Sequence, residues 1–175
     1  QKDLFLYSPK DAPNFQLLRV SLDQPEISEA ETFVPEDPGQ KLSGFTLTKD
    51  GVYYTMKLNG VQEKLYFKPY DGESRELTLP FVAGTVMVRS KGVEFSEVWV
   101  TLAGWTSNSQ RFRYDLADDA FVLENLSVIP EFPEYKDLVV EEVMVKSHDG
   151  VEVPLSIIYK NGLKKDGSQR LLLFG

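Results

Sequence analysis

The chain has 175 residues, of which 42% are hydrophobic, and a formal net charge of -8; this suits one domain or one domain with part of another, and it excludes a disordered composition. The acidic balance, with basic residues as scattered as Lys57, Lys64 and Lys68, argues against a nucleic-acid partner, because phosphate binding needs clustered Lys and Arg. There is no cysteine and one histidine, His148, which excludes disulfides, thiolate chemistry, zinc–thiolate centres and any site with two imidazoles.

The predicted elements are short strands that alternate polar and apolar residues. Residues 4 to 23, LFLYSPKDAPNFQLLRVSLD, read as strand, polar turn, strand and an Asp-ended turn. A further strand is expected from Glu31 to Pro35. Ser28-Glu29-Ala30-Glu31 is too short for a helix. Leu42 to Thr48 opens a second unit, continued by residues 52 to 71, VYYTMKLNGVQEKLYFKPYD, and closed by Arg75 to Pro80. Thr85 to Ser90 opens a third, continued by residues 98 to 118, VWVTLAGWTSNSQRFRYDLAD, and closed by Ala120 to Leu126. The runs Glu63-Lys64-Leu65-Tyr66-Phe67 and Arg111-Phe112-Arg113-Tyr114-Asp115-Leu116 show the period of two most clearly. Asp50-Gly51, Asn59-Gly60, Asp71-Gly72, Asp149-Gly150, Asn161-Gly162 and Asp166-Gly167 mark turns, because such pairs tolerate positive φ.

Aligning Asp23, Asp71 and Asp118 gives a repeat of 47 to 48 residues. Four antiparallel strands in roughly 40–50 residues are the pattern of a β-propeller blade, since one small twisted sheet buries its faces only by stacking on neighbours. A β-sandwich of evenly spaced strands is the competing reading. The first repeat lacks its opening strand, and three blades do not close a ring, so part of a propeller is expected.

The pattern changes after Asn125. Ile129-Pro130-Glu131-Phe132-Pro133 reads as a linker, because proline disrupts a central strand. Val139 to Lys146 and Val151 to Tyr159 follow as a hairpin around Ser147-His148-Asp149-Gly150. Leu171 to Phe174 is a continuous apolar run, expected to be a strand buried on both faces, as in an α/β sheet. No apolar run approaches the roughly 18 residues of a membrane span, so no membrane partner is expected. The start at Gln1-Lys2-Asp3 shows no signal-peptide pattern. A chain that starts there and ends in Leu171-Leu172-Leu173-Phe174-Gly175 reads as a piece of a longer protein.

The segment VEEVMVKSHDGVEVPLSIIYKNGLKKDGSQRLLLFG, residues 140 to 175, resembles the opening of the peptidase domain in the prolyl oligopeptidase family. The shared features are the Ser-x-Asp-Gly turn at Ser147 to Gly150, a following strand with Val153-Pro154, a basic loop from Lys160 to Gly167 and the Leu-rich strand from Leu171. Upstream, Asn14-Phe15-Gln16-Leu17 and Val34-Pro35-Glu36 are similar to a late propeller blade. The resemblance implies an all-β piece of such a protein. Residues 1–133 would be the last blades, about three of seven, and residues 134–175 the truncated first strands of an α/β-hydrolase. It implies a serine peptidase that cuts short peptides after proline, with the propeller limiting access by size. A branch that cuts after basic residues shares this architecture. A propeller interaction module without a hydrolase is the alternative of a different class.

That chemistry needs a Gly-x-Ser-x-Gly nucleophile elbow with an aspartate and a histidine. The chain has no such elbow; Ser168 follows Gly167 but lacks the second glycine. The resemblance implies that the triad and an oxyanion-stabilising tyrosine lie beyond Gly175, so no catalytic residue is assigned. His148 with Asp149 is explained by turn geometry. Glu141 and Glu142, adjacent in a strand, face opposite ways and do not share a cation; Asp118-Asp119 reads as solvated. Trp99, Trp105, Tyr53, Tyr54 and Tyr66 read as cross-strand packing before they read as a peptide groove. Asn125-Leu126-Ser127 fits a glycosylation acceptor only in a secreted setting. No cofactor or metal is expected, and unpaired strand edges suggest self-association.

Overall fold

The computed structural model describes residues 2–126, 130 and 132–174, in two units, Gln1–Ile129 and Pro130–Gly175. The first unit holds three antiparallel sheets in chain order. Sheet one contains β1 (Asp3–Ser8), β2 (Gln16–Ser21) and β3 (Glu31–Val34). Sheet two contains β4 (Gln40–Leu47), β5 (Gly51–Leu58), β6 (Gln62–Pro69) and β7 (Arg75–Leu77). Sheet three contains β8 (Thr85–Ser90), β9 (Val98–Ala103), β10 (Gln110–Asp115) and β11 (Ala120–Leu123). Each strand pairs with its neighbours in sequence, so every sheet is a meander. The first sheet has three strands and the other two have four, as the repeat implied.

The middle sheet is covered on both faces, and its central strand shows it. Val52, Tyr54 and Met56 of β5 join Phe5, Leu17, Phe33, Val34 and Leu42 in a core shared with sheet one. Tyr53, on the opposite face of β5, joins Leu65, Phe67, Leu77, Val86, Val98, Val100, Leu102, Phe112 and Tyr114 in a core shared with sheet three. A strand with both faces covered has no polar side to present, which explains the run Val52-Tyr53-Tyr54. Thr48, Thr55 and Glu63 are the buried polar residues among those described.

Turn geometry matches the residue types unevenly. Asn59 (φ 50°) and Gly60 (φ 72°) are both left-handed, the geometry of a type I′ hairpin turn between β5 and β6. Asp71-Gly72 reverses the chain without positive φ at either residue. In β4 the register slips between Leu42 and Gly44, which makes Ser43 an inserted residue on that strand. The only helical pieces among the described residues are single 3-10 turns at Ile27–Glu29 and Pro133–Tyr135.

The second unit is a hairpin of β12 (Leu138–Lys146) and β13 (Glu152–Lys160), in continuous register from Leu138 opposite Lys160 to Lys146 opposite Glu152. None of its described residues is buried. The expectation of a buried strand at Leu171 to Phe174 is not met: these residues form no strand and are 74–94% exposed. Their apolarity is real, but burial on both faces needs strands and layers on each side. The linker residues Ile129 and Glu131, Ser127 of the glycosylation pattern, and Gly175 lie outside the described residues.

Candidate functional site

In the first unit the polar side chains that do most lie between sheets two and three. Glu63, the second residue of β6, lies on the same face as Leu65 and Phe67 and is 7% exposed. Its backbone N–H donates to Ala83 O at 2.9 Å. Its carboxylate accepts the Val86 N–H at 2.7 Å and the Ser43 hydroxyl. Ser43 also lies 2.8 Å from Thr55 Oγ1, so the inserted residue of β4 turns its hydroxyl into this cluster. Glu63 thereby ties β6 and β4 of one sheet to the first strand of the next. Thr46 Oγ1 donating to Val88 O at 3.1 Å and Ser90 Oγ donating to Leu47 O at 3.0 Å extend the seam.

A second cluster crosses the same seam. Arg75 of β7 donates to Asp119 Oδ1 and to the Tyr114 hydroxyl, both at 2.9 Å, and Tyr114 donates to Asp119. The guanidinium also lies 5.9 Å from the centre of the Phe67 ring. Burial, then the Asp119 carboxylate, pushes the Tyr114 phenol up to about 12. The Tyr114 hydroxyl and Arg75 hold Asp119 below the usual carboxylate range. The Tyr53 hydroxyl is buried without a hydrogen-bond partner among the described residues, and that burial raises its pKa.

The residues weighed in the sequence find ordinary structural places. His148 and Asp149 form the exposed turn between β12 and β13, where Asp149 Oδ1 accepts the Val151 N–H at 3.1 Å. Glu141 bonds Lys165 and Tyr159, which lower its pKa, whereas Glu142 accepts from Ser156; the two carboxylates point to different partners. Ser168 donates to Asp166 at 2.6 Å within an exposed turn. Asp118 is exposed in a turn, while Asp119 belongs to the seam and is not merely solvated. No group of three or more His, Asp or Glu residues that could hold a metal occurs among the described residues.

The aromatic residues divide. Tyr53 and Tyr54 are core, and Tyr54 stacks on its cross-strand partner Tyr66 at 5.2 Å. The Trp99 ring lies 5.8 Å from Lys91 Nζ and 5.4 Å from the Arg111 guanidinium, and its N–H donates to Glu124 at 2.8 Å. Trp105 sits in a bend and is 58% exposed. Sequence reasoning missed Glu63 and the Arg75–Tyr114–Asp119 cluster. The signal for Glu63 was available: a carboxylate on the apolar face of an alternating run.

Residues 1–124 match the family described as prolyl oligopeptidase, N-terminal beta-propeller domain. The chain belongs to the prolyl oligopeptidase family. It is 23% identical over 175 residues to the prolyl endopeptidase of Elizabethkingia meningoseptica, an alignment covering 98% of this chain and 24% of that protein. It is 20% identical over 177 residues to a dual function macrocyclase-peptidase of Galerina marginata, again 98% of this chain and 24% of the other. A solved prolyl endopeptidase structure superposes with a TM-score of 0.79 at 21% identity, covering 95% of this chain and 24% of that one. The chain therefore spans about a quarter of the length of these family members. The three sheets of the first unit belong to the family's β-propeller, which removes the sandwich as a reading.

Proposed function

We propose that this chain is the propeller-bearing part of a serine-type oligopeptidase that hydrolyses short peptides after proline, and that the propeller limits access by size. Residues 1–133 are read as about three late blades of a seven-bladed ring. Residues 134–175 are read as the first strands of the α/β-hydrolase domain. The observation that carries this is the propeller match over residues 1–124, together with relatives that align over 98% of the chain and so continue through the hairpin. In this reading the chain contributes the gate and performs no bond cleavage. In this reading the nucleophile, its aspartate and histidine, and the oxyanion donor lie beyond Gly175, as the family resemblance implies, and the absence of a Gly-x-Ser-x-Gly elbow from the sequence is in keeping with it. Isolated, the chain is expected to self-associate through its exposed strand edges and apolar faces.

The test is a size series. The full-length protein is given chromogenic peptides that end in proline at the scissile bond, of increasing length, and then a folded protein carrying the same sequence in a loop. The reading expects turnover of the short peptides, abolished by a serine-directed inhibitor, and no cleavage of the folded substrate. Cleavage after Lys or Arg alone would move the specificity to the basic branch. Absence of any inhibitor-sensitive turnover would leave a non-catalytic propeller module.

A further inference from the structure

The Glu63 carboxyl group is buried, and no cation reaches it among the described residues. Among the described residues no Lys or Arg ion pair reaches it, and Lys57, opposite it in the β5–β6 register, makes none. Its two oxygens accept one bond each, from the Val86 N–H and the Ser43 hydroxyl. An ionised carboxylate offers about four acceptor positions, so half of this capacity is unused. Buried charges in proteins are ordinarily paired, because removing them from water is expensive unless a counter-charge or several donors replace the solvent.

Beside this carboxylate lies a cavity of about 250 Å³ between β4 and β8. Its polar lining is Glu63 with the hydroxyl-bearing residues Ser43, Thr46, Tyr53 and Thr55, and its apolar lining includes Phe45, Val86 and Val88. The exposed residues Thr85 and Met87 also contribute to its wall, which gives it a way out to solvent. A compact cation with a short hydrocarbon stem matches both linings: the head against the carboxylate and hydroxyl oxygens, the stem along the apolar wall. A divalent metal fits less well, since only one charged ligand faces the space.

We propose that the cavity between β4 and β8 is a binding site for a primary alkylammonium group, with Glu63 as its counter-ion. The group would come from a free amino acid amine, a lysine side chain or a peptide amino terminus, which share this chemistry. The site is formed entirely within the first unit, and its existence does not depend on peptidase activity.

The probe is n-butylammonium chloride, with n-butanol in matched sodium chloride as the neutral control. Binding is read from the methyl NMR signals of Val86 and Val88 in the full-length protein. The proposal expects saturable shifts with butylammonium and none with butanol. Glu63→Gln keeps an acceptor for the Val86 N–H but removes the charge, and is expected to weaken binding at least about tenfold. Gly44→Val keeps Glu63 and fills space beside Thr55, whose Oγ1 would lie 3.6 Å from the new Cβ; it is also expected to abolish binding. Unsaturable shifts, equal shifts with butanol, or undiminished binding by Glu63→Gln would overturn the proposal. If Glu63→Gln does not fold, retained binding by Gly44→Val overturns it and lost binding supports it. Lysine amide and a short peptide with a free or acetylated amino terminus then distinguish the sources. Loss of peptidase activity would leave these readouts unchanged, so the two readings fail separately.

Discussion

The two units contain the same kind of hairpin and differ in what covers it. In β5 the run from Gly51 to Met56 is buried throughout, because sheets one and three cover the two faces of sheet two. In β12 and β13 the pairing is continuous over nine residue pairs, yet Val140, Met144, Val145, Val153 and Ile158 are 37–47% exposed. Pairing follows from local alternation and turn chemistry, whereas burial follows from layers that the local sequence does not encode. The first unit therefore carries the stability, and the second presents an apolar surface.

Substitutions that remove the same side chain from the two regions give the sharpest contrast. Leu65→Ala deletes a fully buried residue between sheets two and three and is expected to destabilise by about 2–5 kcal/mol in urea unfolding. Leu172→Ala, at a position 90% exposed, is expected to change stability by less than about 0.5 kcal/mol. Equal effects would mean that the second unit has a packed core.

Smaller effects probe the polar seam. Tyr53→Phe removes a buried hydroxyl that has no partner, so stability should be unchanged or rise by up to about 1 kcal/mol. A loss of stability would reveal a partner for the hydroxyl. Gly60→Ala forces a side chain into φ 72° and should cost about 1 kcal/mol, with the β5–β6 hairpin fraying first in hydrogen exchange.

The seam also sets a pH dependence at both ends. Tyr114 has its folded pKa raised from 10.0 to about 12, so its contribution is complete below pH 10 and is lost as pH rises towards 12. Asp119 is shifted the other way: its contribution is present above the ordinary carboxylate pKa and is lost as pH falls through its lower folded value. Tyr114→Phe should reduce the alkaline component, to which the buried Tyr53 also contributes, and Asp119→Asn should reduce the acid one, each read from unfolding free energy against pH. Profiles that superpose on the unsubstituted protein would show that the cluster does not cross the seam in solution.

Much of the fold was legible from residues close together in sequence. The four-strand repeat, the span Thr85 to Ser90, the Asn59-Gly60 turn and the hairpin around Ser147 to Gly150 all rest on period-two alternation or on φ preference. The seam was not legible, because Arg75 meets Tyr114 and Asp119 across 39 and 44 residues of chain. Glu63 was visible as a charge on an apolar face, but its partners Ser43 and Val86 were not. The expectation at Leu171 to Phe174 failed for the same reason: apolarity is local, and a covering sheet is not.

The central claim is that this chain supplies a gate and no nucleophile. The most direct measurement is labelling of the full-length protein with a fluorophosphonate, followed by mapping of the modified serine by mass spectrometry. The account predicts one stoichiometric label on a serine outside residues 1–175, with Ser43, Ser147 and Ser168 unmodified. A label on any serine within residues 1–175, abolished by its substitution to alanine together with turnover, would contradict it.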